Sequence, residues 1–312
     1  MSLPEAAPEA IAPVISPSAK PQRDSSNGVV AALLAYGAWG FLPLLFHALE
    51  HVDPVLVVAE RTLWSLVLLA LILALGAGFG EVRALFADGR RLVVTLVSAV
   101  LLAGNWLLYV WAVTTGQVLE ASFGYFINPL INIVIGMVML GERQNLLQSV
   151  AIGIAAVAIA IQAIGLGSVP FVALGLALTF GLYGYFRKTA ALAPAAGLFA
   201  ETALIAPVAL GYVGFSLATQ GLGPHADPVT VLVLMLCGPA TALPLLLFVH
   251  AVRRLRLTTI GMFQYIAPSI QFILAIVFFG EHLNGTRLFS FALIWLSLVV
   301  FTYDSFRRRA RG

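Results

Sequence analysis

Four charged side chains stand inside long apolar runs of this sequence: Glu60 and Arg61 side by side, Glu120, and Glu201. A charge held at the middle of a lipid layer costs about 2.5 to 3.5 kcal/mol on insertion scales, so such a residue faces a partner or a wet cavity. Two chemistries follow. Arg61 could hold a carboxylate or phosphate while a glutamate takes up a proton. Equally, the charges could form a buried Arg–Glu pair, or reach along their own stems to the water boundary. Glu120 opens its run, where it could gate a passage or merely favour a helix start.

Uncharged polar groups form a second set. Tyr125, Asn128 and Asn132 are spaced i, i+3, i+7 and share one helical face, which Gly136 extends. Gln264, Ala267, Gln271 and Ala275 make a matching stripe farther along the chain. Each stripe flanks a proline, Pro129 or Pro268, whose missing N–H and ring clash leave the carbonyl four residues earlier unpaired. In lipid such a carbonyl must be buried in protein or wetted by a cavity. Two broken-helix faces could therefore line a central pocket. The other reading is hydrogen bonding between helices, worth about 0.6 kcal/mol per bond on average. Asn105, with Tyr109 one turn later, fits the same wall or plain packing. Trp39 and Tyr183, with Trp106, Trp111 and Tyr185, offer aromatic surface for an organic solute or anchors at a membrane boundary.

Soluble catalysis has no representative. The chain carries no HExxH, GxSxG or Walker loop. The five histidines (His47, His51, His225, His250, His282) are scattered, and a single cysteine, Cys237, excludes an internal disulfide or a thiolate cluster. No catalytic residue, metal or cofactor is expected.

The elements that must position these groups follow from composition. Of 312 residues, 61% are hydrophobic and 10% charged, with mean hydropathy +0.99. A soluble domain carries about 25% charged residues, so this is the balance of a membrane protein. Residues 1–27 are rich in Ala, Pro and Ser, lack a signal-peptide core and read as a disordered tail. Ten runs of spanning length follow, near 28–47, 54–75, 92–113, 119–140, 146–165, 170–186, 197–217, 230–252, 258–279 and 287–303. With the N-terminus in the cytoplasm, every lysine and arginine except Arg61 and Arg287 falls on the inner side, as the positive-inside rule requires. Topology thus accounts for the basic residues, and nucleic acid is not an expected partner.

The chain also repeats. LEASFGYFINPLINIVIGMVMLGE (119–142) falls without a gap on TTIGMFQYIAPSIQFILAIVFFGE (258–281), within the segment 257–281, at a shift of 139 residues. Pro129 meets Pro268, Ile127 meets Ile266, Val138 meets Val277, and Gly141-Glu142 meets Gly280-Glu281. Five spans per half is an odd number, so the halves, 28–165 and 166–303, must cross in opposite directions. The loop at Thr114–Gln117 is uncharged, whereas its counterpart carries Arg253, Arg254 and Arg256. Matched Pro-interrupted segments in two inverted halves point to a solute site at their interface.

GNWLLYVWAV (104–113), LEASFGYFINPLINIVIGMVMLGER (119–143), FGLYGYFRK (180–188), the segment 243–281 with its QYIAP block, and FALIWLSLVVFTYD (291–304) resemble the RarD-type proteins. These belong to the EamA branch of the drug/metabolite transporter superfamily, and the resemblance runs from Gly28 to Asp304. It implies ten transmembrane helices in two inverted halves, both termini cytoplasmic, and permease activity in a bacterial inner membrane. One departure is visible. The family's second span usually reads His-Arg before xxWS, whereas Glu60-Arg61 stands here, so no role of that histidine carries over.

The expectation is therefore an all-α membrane protein of ten transmembrane helices, two inverted five-helix repeats, with a short basic cytoplasmic tail at 304–312. It would act as a secondary transporter, exporting small organic metabolites or drugs by alternating access, with protons as a candidate coupling ion. An uncoupled facilitator or exchanger, a membrane sensor or assembly subunit, and an intramembrane enzyme are the competing readings. Partners are the lipid bilayer and a small organic solute. Oligomeric state is left open.

Overall fold

The computed structural model describes residues 26–76, 78–140, 145–166, 169–189, 194–252 and 263–309. Most of the tail expected over 1–27, Glu142, the arginines of 253–256 and the last residues of the basic tail lie outside them. So do the side chains of Pro129 and Asn132.

Every element among the described residues is helical. The long helices are α1 (Ser26–His47), α2 (Pro54–Leu75), α4 (Gly89–Thr114), α5 (Val118–Leu140), α6 (Leu146–Leu166), α7 (Phe171–Thr189), α8 (Pro194–Gln220), α9 (Pro228–Val252), α10 (Ile266–Val277) and α11 (Gly285–Arg309). A short helix, α3 (Phe79–Phe86), precedes α4, and a 3₁₀ turn (Gly223–Ala226) joins α8 to α9. Among the described residues, six helices are long and apolar enough to cross a membrane, and three apolar helices are shorter.

Local chemistry sets the ends. Asp53 begins α2 by accepting from Leu56 N at 3.1 Å, with Pro54 at the first helical position, where no N–H is needed. Asp88 caps α4 through Arg90 N and Arg91 N. Arg90 and Arg91 therefore sit in its first turn, a few residues before the span expected from 92. Asp227 does the same for α9 through Thr230 N at 2.9 Å. Between α4 and α5 the chain reverses in three residues. Gly116 adopts φ +70°, while Gly116 N and Gln117 N bond back to Val113 O and Ala112 O, closing the helix with a left-handed glycine.

The packing has a definite pattern. α1 lies against α9 and α10, and α7 lies against α4 and α5. α2 pairs with α8 and also meets α9; α5 pairs with α10, and α6 with α11. Two contacts bring backbones close. A Cβ on Gly238 of α9 would stand 2.6 Å from Trp64 C and 2.7 Å from Ser65 N of α2. One on Gly124 of α5 would stand 2.7 Å from Ala173 O of α7. One large apolar cluster, centred on buried Phe46, Tyr109, Phe123, Ile127 and Phe291, joins helices of both halves. Outward-facing Leu71, Val93, Val208, Leu232 and Val277 are exposed, as a surface bathed in lipid requires.

Candidate functional site

Glu60 and Arg61 are both buried on α2 and turn apart, as successive residues on a helix must. One Glu60 oxygen, Oε1, lies 2.8 Å from His225 Nε2 of the 3₁₀ turn; the other accepts from Trp64 Nε1 at 3.1 Å. Arg61 takes no part in that pair. Its guanidinium carbon stands 4.4 Å from the centroid of the Trp106 ring on α4, and its Nε has no hydrogen-bond partner among the described residues.

Trp106 opens a run of edge-to-face rings. Trp106 to Tyr109 is 5.9 Å between centroids, Tyr109 to Tyr125 is 5.6 Å, and Phe46 contacts both Trp106 and Tyr109. Tyr109 is fully enclosed, yet its hydroxyl has no partner among the described residues. On α5 and α10, which pack together, Asn128 Oδ1 and Gln271 Oε1 are likewise buried and unpaired. Among the described residues, six buried side-chain polar atoms lack a partner, and four belong to residues the sequence singled out: Arg61, Tyr109, Asn128 and Gln271. Buried polar groups are nearly always hydrogen-bonded, so such a concentration asks for a water or a ligand.

The remaining expected residues are placed otherwise. Asn105 gives its amide to Leu176 O at 3.0 Å and to Thr179 Oγ1 at 2.8 Å, bonds that join α4 to α7. Gln271 Nε2 donates to the Trp39 carbonyl at 3.1 Å, while the Trp39 ring stacks edge-on with Tyr36. Glu201 of α8 is buried, accepting from Ser98 Oγ and from Tyr183 Oη. Glu120 Oε1 accepts from Val172 N at 3.2 Å, at the start of α7. Gln264 sits half-buried in the turn before α10. Pro268 is the third residue of α10, and its carbonyl accepts from Ser122 Oγ of α5 at 2.8 Å. α5 is helical through position 129. The structure thus sets Arg61 and Tyr109 against Trp106, with Tyr125 one ring farther on against Tyr109, and holds Glu120 and Glu201 in separate settings.

Two open grooves are seen at the surface, of about 610 and 440 Å³. The first runs between α1 and α9 past Ala31, Leu34, Leu246 and His250; the second passes Pro54, Gly104, Trp111 and Phe171. Trp111, one of the aromatic candidates, lines the second groove, and neither groove is lined by Asn105, Tyr109, Tyr125, Asn128 or Gln271.

Sequence reading missed His225, Ser98 and Thr179. His225 lies in the polar connection GLGPHADP, where nothing local marks it as the partner of a carboxylate 165 residues away. The only available signal was Glu60 itself, since a buried acid must find a counter-group.

A profile of the EamA-like transporter family matches residues 26–163. An uncharacterized transporter of Vibrio cholerae is 40% identical over 93% of this chain and 98% of its own. Protein RarD of Salmonella typhi is 40% identical over 91% of this chain and 97% of its own. A solved crystal structure, 20% identical, superposes with a TM-score of 0.60 over 91% of this chain and 98% of its own, and shares the fold.

Proposed function

The chain belongs to the RarD-type permeases of the EamA-like transporter family and is a multi-pass membrane protein; from this we propose that it exports small organic solutes across a bacterial inner membrane by alternating access. The observation that carries the reading is the set of unpaired, buried polar atoms on Arg61, Tyr109, Asn128 and Gln271, drawn from helices of both halves. A solute site needs polar groups whose partners arrive with the cargo.

Ten crossings in two inverted halves fit the helix pairings. Exchange the halves, and the α1–α9 contact becomes α7–α4, the α1–α10 contact becomes α7–α5, and the α2–α8, α5–α10 and α6–α11 pairs map onto themselves. Rocking about such an axis would expose the site to either side in turn. The arginine bias puts both termini in the cytoplasm. Of the three membrane glutamates, Glu60 is the best placed to couple a proton. It is buried beside a histidine near the site, whereas Glu120 already accepts a backbone N–H.

Counterflow into proteoliposomes, across a panel of amino acids, nucleosides and antibiotics, tests the proposal. Saturable exchange of at least one class is expected. A protein that moves none of them is a sensor or an assembly subunit instead.

A further inference from the structure

We infer that the ligand of Arg61 is a monovalent organic carboxylate with an apolar, ring-sized body. The inference rests on the transporter reading above and names the cargo class for the same site.

Arg61 is 6% exposed and, among the described residues, forms no ion pair with a carboxylate. A guanidinium never sheds its charge in a protein, so burial without a counter-charge is costly. Glu60 cannot supply that charge. It leaves the helix in another direction, and its two oxygens are engaged by His225 and Trp64. No carboxylate among the described residues supplies that charge, and a bound anion would.

Geometry then selects the anion. With Trp106 beneath its face at 4.4 Å, the guanidinium presents its N–H edge, including the unpaired Nε. That edge matches the two coplanar oxygens of a carboxylate. The lone Tyr109 hydroxyl, buried one ring away, is a further donor. Trp106 and Tyr125, both only partly buried, offer apolar surface for the rest of the molecule. Arg61 carries one positive charge, so a ligand with a single negative charge neutralises it.

The test uses the purified full-length protein in detergent, with benzoate, phenylacetate and 3-phenylpropionate as probes in calorimetric titration. At least one acid should bind saturably, and its uncharged amide should bind tenfold more weakly or not at all. This comparison needs no variant. R61K should bind the acid less tightly, having charge without the fork, and R61Q should lose it. Amides binding as well as acids, or R61Q binding like the unaltered protein, overturns the assignment. So does failure of all three acids to bind, or phenyl phosphate binding more tightly than the carboxylates. Counterflow limited to cations or neutral solutes leaves the permease reading standing and removes the anion site. Carboxylate binding without flux does the reverse.

Discussion

His225 Nε2 lies 2.8 Å from Glu60 Oε1, a contact that ties the connection between α8 and α9 to a buried turn of α2. His51, just before α2, bonds in the same region to Thr230 Oγ1 of α9 at 3.2 Å, and Tyr212 Oη of α8 bonds to Asp53 at 2.6 Å. The loop is thereby laid over one end of α2, the helix that carries Glu60 and Arg61. The two oxygens of Glu60 meet His225 Nε2 and Trp64 Nε1. The hypothesis is that a proton arriving at this pair loosens the cover.

The first prediction concerns this pair. Counterflow by the unaltered protein should vary with pH, and both E60Q and H225Q should flatten the profile. E201Q, altering a carboxylate held by Ser98 and Tyr183, should change the rate without flattening it. If E60Q and H225Q both keep the unaltered profile, the pair has no part in coupling.

The second prediction concerns how α2 is held. Gly238 lets α9 approach so closely that its carbonyl accepts from Ser65 Oγ at 3.3 Å. In G238A the new methyl would meet Trp64 Cβ at 2.5 Å and Trp64 C at 2.6 Å. Main-chain atoms cannot step aside individually, so the helices must part, at a cost of about 1–3 kcal/mol. Gly211 of α8 has nothing within 4 Å of the same position. G211A should therefore be neutral or gain up to roughly 1 kcal/mol from helix propensity. Melting midpoints in detergent compare the two, and an unchanged midpoint for G238A would refute the tight seam.

Much of this was legible in the sequence. Long apolar runs between caps such as Asp53-Pro54 and Asp227-Pro228 located most helices, because span length and cap chemistry are local properties. The buried polar side chains were legible too, since few reasons place an Arg or Asn in an apolar run. Their partners were not. Asn105 spends its amide on α7, and Glu60 answers a histidine from a distant loop, contacts that exist only after folding. Helix α3 escaped because eight residues, FGEVRALF, are too few to span and bury only Val82 and Leu85. The Pro268 side chain was expected at mid-span, yet α10 begins just before it, where a missing N–H costs little.

A third prediction follows from Glu281, in the connection between α10 and α11. Its carboxylate accepts from Val118 N at 2.6 Å and Leu119 N at 3.0 Å, capping α5 from the other half of the chain. Burial pushes its pKa above the usual 4.5, and Glu120 nearby adds to the rise; the two N–H groups and Arg287 pull the other way without cancelling it. A folded value above the unfolded one means that protonation favours the fold. That stabilisation is complete below about pH 4.5 and is lost as pH rises through the folded value. Between pH 4.5 and neutrality the unaltered protein should lose stability relative to E281Q, which has nothing to titrate there. Thermal denaturation of both proteins over that range checks the sign, and parallel curves would show that Glu281 titrates as in water.

The last prediction sets two asparagines against each other. Asn145 and Asn284 stand 139 residues apart, the register of the repeat. Each caps the helix after it through the same atom, Asn145 Oδ1 accepting from Gln148 N and Asn284 Oδ1 from Arg287 N, both at 2.8 Å. Only one has acquired a second task. Asn145 Nδ2 donates to both oxygens of Asp304 at 2.7 Å, and Asp304 is buried on α11. N284A should lose a cap alone, about 1 kcal/mol. N145A should lose the cap and a bond to a charged group, roughly 1.5 kcal/mol more. Aspartate separates the two effects, because it caps a helix as well as asparagine does. N284D should be nearly neutral, whereas N145D would set one carboxylate against another inside the α6–α11 seam and should be the least stable of the four. Equal melting midpoints for N145D and N284D would mean that Asp304 does not depend on Asn145, and that the two halves use this position alike.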